Sequence, residues 1–159
     1  MTNVDMSLQL DQTDRAILKH LQAQAKLTNV QLAEQIGLSP ASTLERVRKL
    51  ENKGVIKSYH ARLAPEKLAL HTQLIVQVKL HALTAAHITA FQEAMASIPE
   101  ITECHQVIGD ADFVLKVVTQ DMTAYQQLVI QQLSIIEHIQ SLKPLVITDT
   151  TKENGMPIA

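Results

Sequence analysis

The chain has 159 residues, 46% of them hydrophobic and 19% charged, with a net charge of -2. That balance excludes the polar, charge-dense composition of disordered chains, and the length allows one medium domain or two small ones. A single cysteine, Cys104, excludes an intrachain disulfide framework and a cysteine-based zinc site and makes a reducing cytoplasm the expected home. Residues 1 to 10 lack a basic start and an apolar run, and no later stretch approaches the roughly 18 apolar residues of a span, so no targeting or membrane segment is expected.

Charge is unevenly placed. Through Arg62 nine basic side chains stand against six acidic ones, whereas the remainder holds five against ten. The basic residues concentrate between Arg46 and Arg62, which suggests a surface facing a polyanion.

In chain order, Asp11 caps an amphipathic helix that carries Ile17, Leu18 and Leu21. Thr28-Asn-Val-Gln31 has the form of a capping box ahead of Val30, Leu32, Ala33 and Ile36, and Gly37 ends that helix in a left-handed conformation. Ser39-Pro40 restarts the chain as helix, with Ser as N-cap and Pro where a missing N–H costs nothing. Leu44, Val47 and Leu50 then predict a buried stripe that leaves Ser42, Glu45, Arg46 and Lys49 nearer the outside. Gly54 closes the helix, and Val55 to Leu63 reads as a short wing or edge strand.

The pattern breaks at Ala64-Pro65-Glu66. Domains are therefore expected at 1–63 and 72–159, with a linker at 64–71. Thr72 to Leu80 alternates as a strand, and Thr84 to Ser97 places Ile88, Phe91 and Met95 on one helical face. Ile101 to Ile108 and Phe113 to Thr119 read as paired strands around Gly109-Asp-Ala-Asp112. Asp121 caps a helix through Tyr125 and Leu133, and Leu145 to Ile147 reads as the last strand. The order β-α-β-β-α-β is the ferredoxin-like split arrangement, so the fold class is α+β: an N-terminal helical unit with a helix-turn-helix and a wing or edge strand, followed by a ferredoxin-like domain.

Helix pairs joined by a Gly-containing turn also occur in plain helical bundles. Here, however, the second helix starts with the small polar residues Ser39, Ala41, Ser42 and Thr43, which allow close approach to a major groove. Arg46 and Lys49 follow, with Arg46 placed to reach guanine or a phosphate, and Lys53, Lys57 and Arg62 suit flanking phosphates. A solvated charged face explains the lysines alone but not the asymmetry between the halves. Double-stranded DNA is the expected partner.

The motifs Leu10-Asp-x-x-Asp14, Ile17-Leu18, Gly37-Leu38-Ser39-Pro40, Arg46-Val-x-x-Leu50-Glu51-x-x-Gly54-Val55-Ile56 and Gly109-Asp-x-Asp112 together resemble the Lrp/AsnC family of feast/famine transcriptional regulators, over nearly the whole chain. The resemblance implies a winged helix-turn-helix joined to a ligand-sensing and assembly domain, homodimers that often assemble into octamers, and control by an amino acid.

In the second half, one cysteine cannot hold an iron-sulfur cluster, and aromatics at 3% leave little for RNA bases to stack on. The seven histidines show no metal-ligand spacing and no activated nucleophile motif occurs, so neither an enzyme nor a bound cofactor or metal is expected. Cys104 reads as a buried small hydrophobe. Gly109, Asp110 and Asp112 read either as a hairpin turn or as an amino-acid site whose carboxylates meet an α-ammonium and whose N–H groups meet an α-carboxylate. In the resembled family this loop lies at the effector pocket between subunits, although Pro144 stands where family members often carry a hydroxyl. Val76, Val78 and Phe91 serve either an assembly interface or the monomer core. Two other readings stay open: an amino-acid-binding regulatory subunit without DNA binding, and an architectural protein that compacts DNA without an effector.

Overall fold

The computed structural model describes residues 9–158. Two compact units emerge, one running through Arg62 and joined by the chain from Lys152 onward, the other spanning Leu63–Thr151. Within the N-terminal unit the C-terminal tail is held where Glu153 pairs with Arg62 and the Gln22 side chain donates to the Met156 carbonyl at 3.1 Å.

The N-terminal unit holds α1 (Gln12–Ala23), α2 (Asn29–Ile36) and α3 (Pro40–Asn52). Local chemistry sets each start. Asp11, Thr28 and Ser39 accept from the backbone N–H three residues on, and Thr28 with Gln31 completes a reciprocal box. Gly37, at φ 70°, turns the chain between α2 and α3, a conformation that costs glycine little. Ile17, Leu32 and Leu50, one from each helix, form the buried centre, with Leu10, Leu21, Leu27 and Val47 packed around it. The segment after α3 differs from expectation. Residues 55–63 form no strand, because the Val55 and Ile56 N–H groups both return to the Leu50 carbonyl and Tyr59 bonds Glu51 at 2.8 Å.

In the second unit a short 3₁₀ turn at Pro65–Leu68 occupies the expected linker. Strand β1 (Thr72–Leu80), α4 (Ala85–Ala96), β2 (Ile101–Gln106), β3 (Phe113–Thr119), α5 (Met122–Leu128) and β4 (Ile139–Val146) follow. The sheet order is β2-β3-β1-β4 with every neighbouring pair antiparallel, which is the ferredoxin-like arrangement. Alternation decides the faces: Leu74, Val76, Val78 and Leu80 of β1 and Phe113, Leu115 and Val117 of β3 meet Phe91 and Met95 of α4 and Tyr125 and Leu128 of α5. Val76, Val78 and Phe91 are fully buried and therefore belong to the monomer core.

Three details depart from the sequence pattern. Strand β4 begins at Ile139 rather than near Leu145, and it accommodates Pro144 opposite Val76 because it is an edge strand with no ladder on its outer side. The helix from Asp121 continues past Leu128 as a π-turn, Val129–Leu133. The wider turn brings Leu128 and Leu133, five residues apart, to the same core. Cys104 is exposed rather than buried, since β2 is the other edge strand, although partial burial still pushes its thiol pKa up.

Candidate nucleic-acid interface and effector loop

The outward face of α3 is set by what the core takes from it. Thr43 is fully buried and its hydroxyl donates to the Ser39 carbonyl at 3.0 Å, while Val47 and Leu50 face inward on the same side. Exposure then repeats as Ala41, then Leu44 and Glu45, then Arg48 and Lys49, then Asn52. This four-residue step traces one stripe along a helix. The buried stripe therefore runs through Thr43 rather than Leu44, which is 39% exposed, and the surface is rotated from the one the apolar pattern predicts.

Of the predicted DNA-facing residues, Ser39, Ala41, Lys49, Lys53 and Lys57 are exposed and Ser42 is half-buried. Thr43 is withdrawn into the core. Arg46 is also committed internally, donating to Asp11 at 2.7 Å and Asp14 at 2.8 Å. Arg62 is held by Glu153. Arg48, not among the predicted DNA-facing residues, stands on the exposed stripe. Its spacing of seven from Ala41 was the signal available.

The ends of α3 suit an anion at one and a firm support at the other. Ser39 Oγ accepts from Ser42 N–H at 3.2 Å, Pro40 occupies the first turn, and no acid lies in that turn. The remaining first-turn N–H groups present partial positive charge. At the other end the Tyr59 hydroxyl donates to Glu51, and burial, then this bond, pushes the phenol pKa up to about 12.

In the second unit, residues 107–112 join β2 to β3, with Val107 N–H donating to the Asp112 carbonyl at 2.9 Å. Gly109 has φ 154°, and Gly109 and Asp110 are exposed. Asp112 is not a free carboxylate. One oxygen accepts from Leu80 N–H at 2.8 Å and the other from Lys79 Nζ at 2.9 Å, while its own N–H donates to the Val78 carbonyl at 2.9 Å. The Leu80 N–H, then Lys79, hold its pKa below the usual carboxylate value. Asp112 thus pins the loop to the end of β1, with its side chain 4% exposed and each oxygen already accepting one hydrogen bond.

A winged helix-turn-helix DNA-binding model matches residues 10–57, and the Lrp/AsnC ligand-binding domain model matches residues 73–157. The chain belongs to the Lrp/AsnC family. The leucine-responsive regulatory protein of Escherichia coli K12 is 36% identical over 92% of this chain and 89% of that protein, and its Klebsiella pneumoniae counterpart is equally similar. Among solved structures, a transcriptional regulator from Neisseria meningitidis in complex with L-Met superposes with a TM-score of 0.89 at 30% identity, covering 94% of this chain and 97% of that one. E. coli AsnC gives 0.84 at 25% identity, covering 94% and 99%. This Lrp/AsnC-family chain is accordingly a DNA-binding transcriptional regulator and not an enzyme. Among the described residues no helix is long and apolar enough to cross a membrane, and no group of three or more His, Cys, Asp or Glu is placed to hold a metal ion.

Proposed function

We propose that α3 is the recognition helix of a sequence-specific regulator acting in the cytoplasm, and that a small amino acid bound near Gly109 and Asp110 tunes its DNA affinity. The observation that carries the DNA assignment is the exposed stripe of Ala41, Glu45, Arg48 and Lys49 behind the acid-free, Ser39-capped start of α3. Small residues at the tip admit the major groove, and the two cations one turn deeper meet base edges or phosphate. Ser39 and Ser42 contribute N–H and hydroxyl groups at the tip, and Lys53 and Lys57 hold flanking phosphates. Lys57→Ala is expected to weaken every duplex alike and to reduce the salt slope by about one, read from binding isotherms across a salt series; a changed base preference with an unchanged slope argues against this role.

The effector assignment is supported by the end of the sheet at which Gly109 lies. Leu83, which follows β1, Ile108 and Ile135, just before β4, are all exposed there, and Ile108 is completely so. Such apolar groups around an exposed loop suit an intersubunit pocket with an apolar wall. The Neisseria relative is solved with L-Met, which makes an amino acid the ligand class to test first.

The protein acts as a homodimer that assembles further into an octamer. The sheet face opposite α4 and α5 carries Ile75 paired with Leu145, the latter 53% exposed, together with Val114, Lys116 and Glu103. Ile75→Glu is expected to shift the assembly toward monomer in sedimentation at micromolar concentration, since two copies of a buried carboxylate would face one another across a two-fold interface. Unchanged sedimentation excludes this face. The whole reading is tested by gel shifts at physiological salt on the promoter region of the protein's own gene and on random duplex, with and without pooled amino acids. Preferential binding to the promoter that responds to the pool supports it, and equal binding to random duplex overturns it.

A further inference from the structure

Arg46 sits at the middle of α3, yet its guanidinium does not turn outward with Arg48. A single nitrogen, Nη1, donates to Asp11 Oδ2 at 2.7 Å and to Asp14 Oδ1 at 2.8 Å. Those two carboxylates are the capping box of α1. Asp11 Oδ1 accepts from Asp14 N–H at 2.7 Å, and Asp14 Oδ2 accepts from Asp11 N–H at 3.4 Å.

A box of this kind ordinarily pairs a hydroxyl with one acid or amide, as Thr28 and Gln31 do at α2. At α1 both positions are anionic and Asp14 is only 7% exposed. Two carboxylates held this close repel unless a cation lies between them. The Asp14 backbone N–H, then Arg46, hold the Asp11 carboxyl low, and Asp11, then Asp14, raise Arg46 in return. The neutralising charge comes from α3, so the first turn of α1 and the midpoint of α3 are completed by one another.

We infer that Arg46 is a positioning residue for DNA recognition: clamped between Asp11 and Asp14, it fixes the rotation and tilt of α3 and does not read bases. This rests on α3 being the recognition helix. Arg46 lies six residues beyond Pro40, about 9 Å along the axis. A tilt of roughly 10° about that point moves the helix tip by about 1.5 Å, enough to break directional hydrogen bonds.

The test compares full-length Arg46→Ala, Arg46→Lys, Asp14→Asn, Asp11→Asn and Ala41→Glu on a duplex carrying the promoter region of the protein's own gene and on its single-base variants. Thermal melts verify that each protein is folded. Removing a carboxylate from a DNA-binding unit should, by charge alone, tighten binding. The clamp predicts the opposite: Asp14→Asn weakens binding about 10-fold, and Arg46→Ala weakens it by a similar factor on every base variant. The variant combining Arg46→Ala with Asp14→Asn is no weaker than either single one, and Arg46→Lys recovers part of the loss. Asp11→Asn, which keeps a good cap while losing the charge, gives the same sign and serves where Asp14→Asn fails to fold. Binding by the acid variants that equals or exceeds wild type, or a base preference altered at one position in Arg46→Ala, overturns the inference while α3 stands as the recognition helix. Undiminished binding by Ala41→Glu removes α3 from that role and the inference with it.

Discussion

Ala41→Glu is expected to lower operator affinity more than about 100-fold without lowering the thermal stability of the protein, because like charge set against the duplex costs several kcal/mol. Ala41 is exposed at the second position of α3, and no acid lies in the first turn. For the isolated protein, a carboxylate at that position meets the positive end of the helix dipole and adds on the order of 0.3–1 kcal/mol of stability. On the duplex the same carboxylate competes with phosphate for that helix end and crowds the groove floor. Stability and affinity therefore move in opposite directions, a combination that misfolding does not produce. Melting curves and gel shifts on one preparation measure both. Retained affinity at unchanged salt slope would remove the α3 tip from the interface.

The second large effect is on the sensor unit. Asp112→Ala is expected to destabilise it by about 2 kcal/mol, because the Leu80 N–H loses a charged acceptor in a buried site. The Asp112 side chain is 4% exposed, whereas Lys79 is 40% exposed, so the ion pair itself adds little and the backbone bond dominates. For a unit of this size the loss corresponds to a fall in melting temperature of roughly 10 °C. The same bond has a pH signature. The folded-state pKa of Asp112 lies below its ordinary 3.8, so its contribution is fully present above that value and disappears as pH falls through the lowered one. Wild type is therefore expected to lose stability below about pH 4 more steeply than the Ala variant, as read from denaturant midpoints across pH. An amino-acid response lost in Asp112→Ala would report a loosened loop. Asp110→Ala, on the exposed side of the same loop, is the variant that separates contact from support.

How far the sequence carried each element depends on whether its cause is local. The cap residues Asp11, Thr28, Ser39, Thr84 and Asp121 all accept from the N–H three residues on, as their side-chain chemistry requires. The β1 alternation was equally plain, because its one buried face imposes period two. The face of α3 differs by one residue from the one the apolar pattern predicts: leucine outranks threonine in apolar character, but Thr43 hides its hydroxyl on the Ser39 carbonyl and takes the core position. Strand β4 was hidden because an edge strand carries exposed residues and tolerates Pro144. Cys104 departs from its expected burial for a related reason, since its place on an edge strand leaves it exposed.

The helix starts, the β-α-β-β-α-β order, the concentration of basic charge before Arg62 and the family motifs are all legible in the residue order. The helix starts follow from side chains acting on their own backbone, and the element order from periods of two or about four. Which cations are paired is settled by long-range packing. Arg46, Arg62 and Lys79 each meet a carboxylate, at Asp11 and Asp14, at Glu153 and at Asp112, between 32 and 91 residues away in the chain. A charge's partner is set by proximity in space, since the attraction weakens as separation grows, and residues far apart in the chain reach contact only through the fold. The same holds for Asp112, whose carboxylate accepts from the Leu80 N–H 32 residues away in the chain.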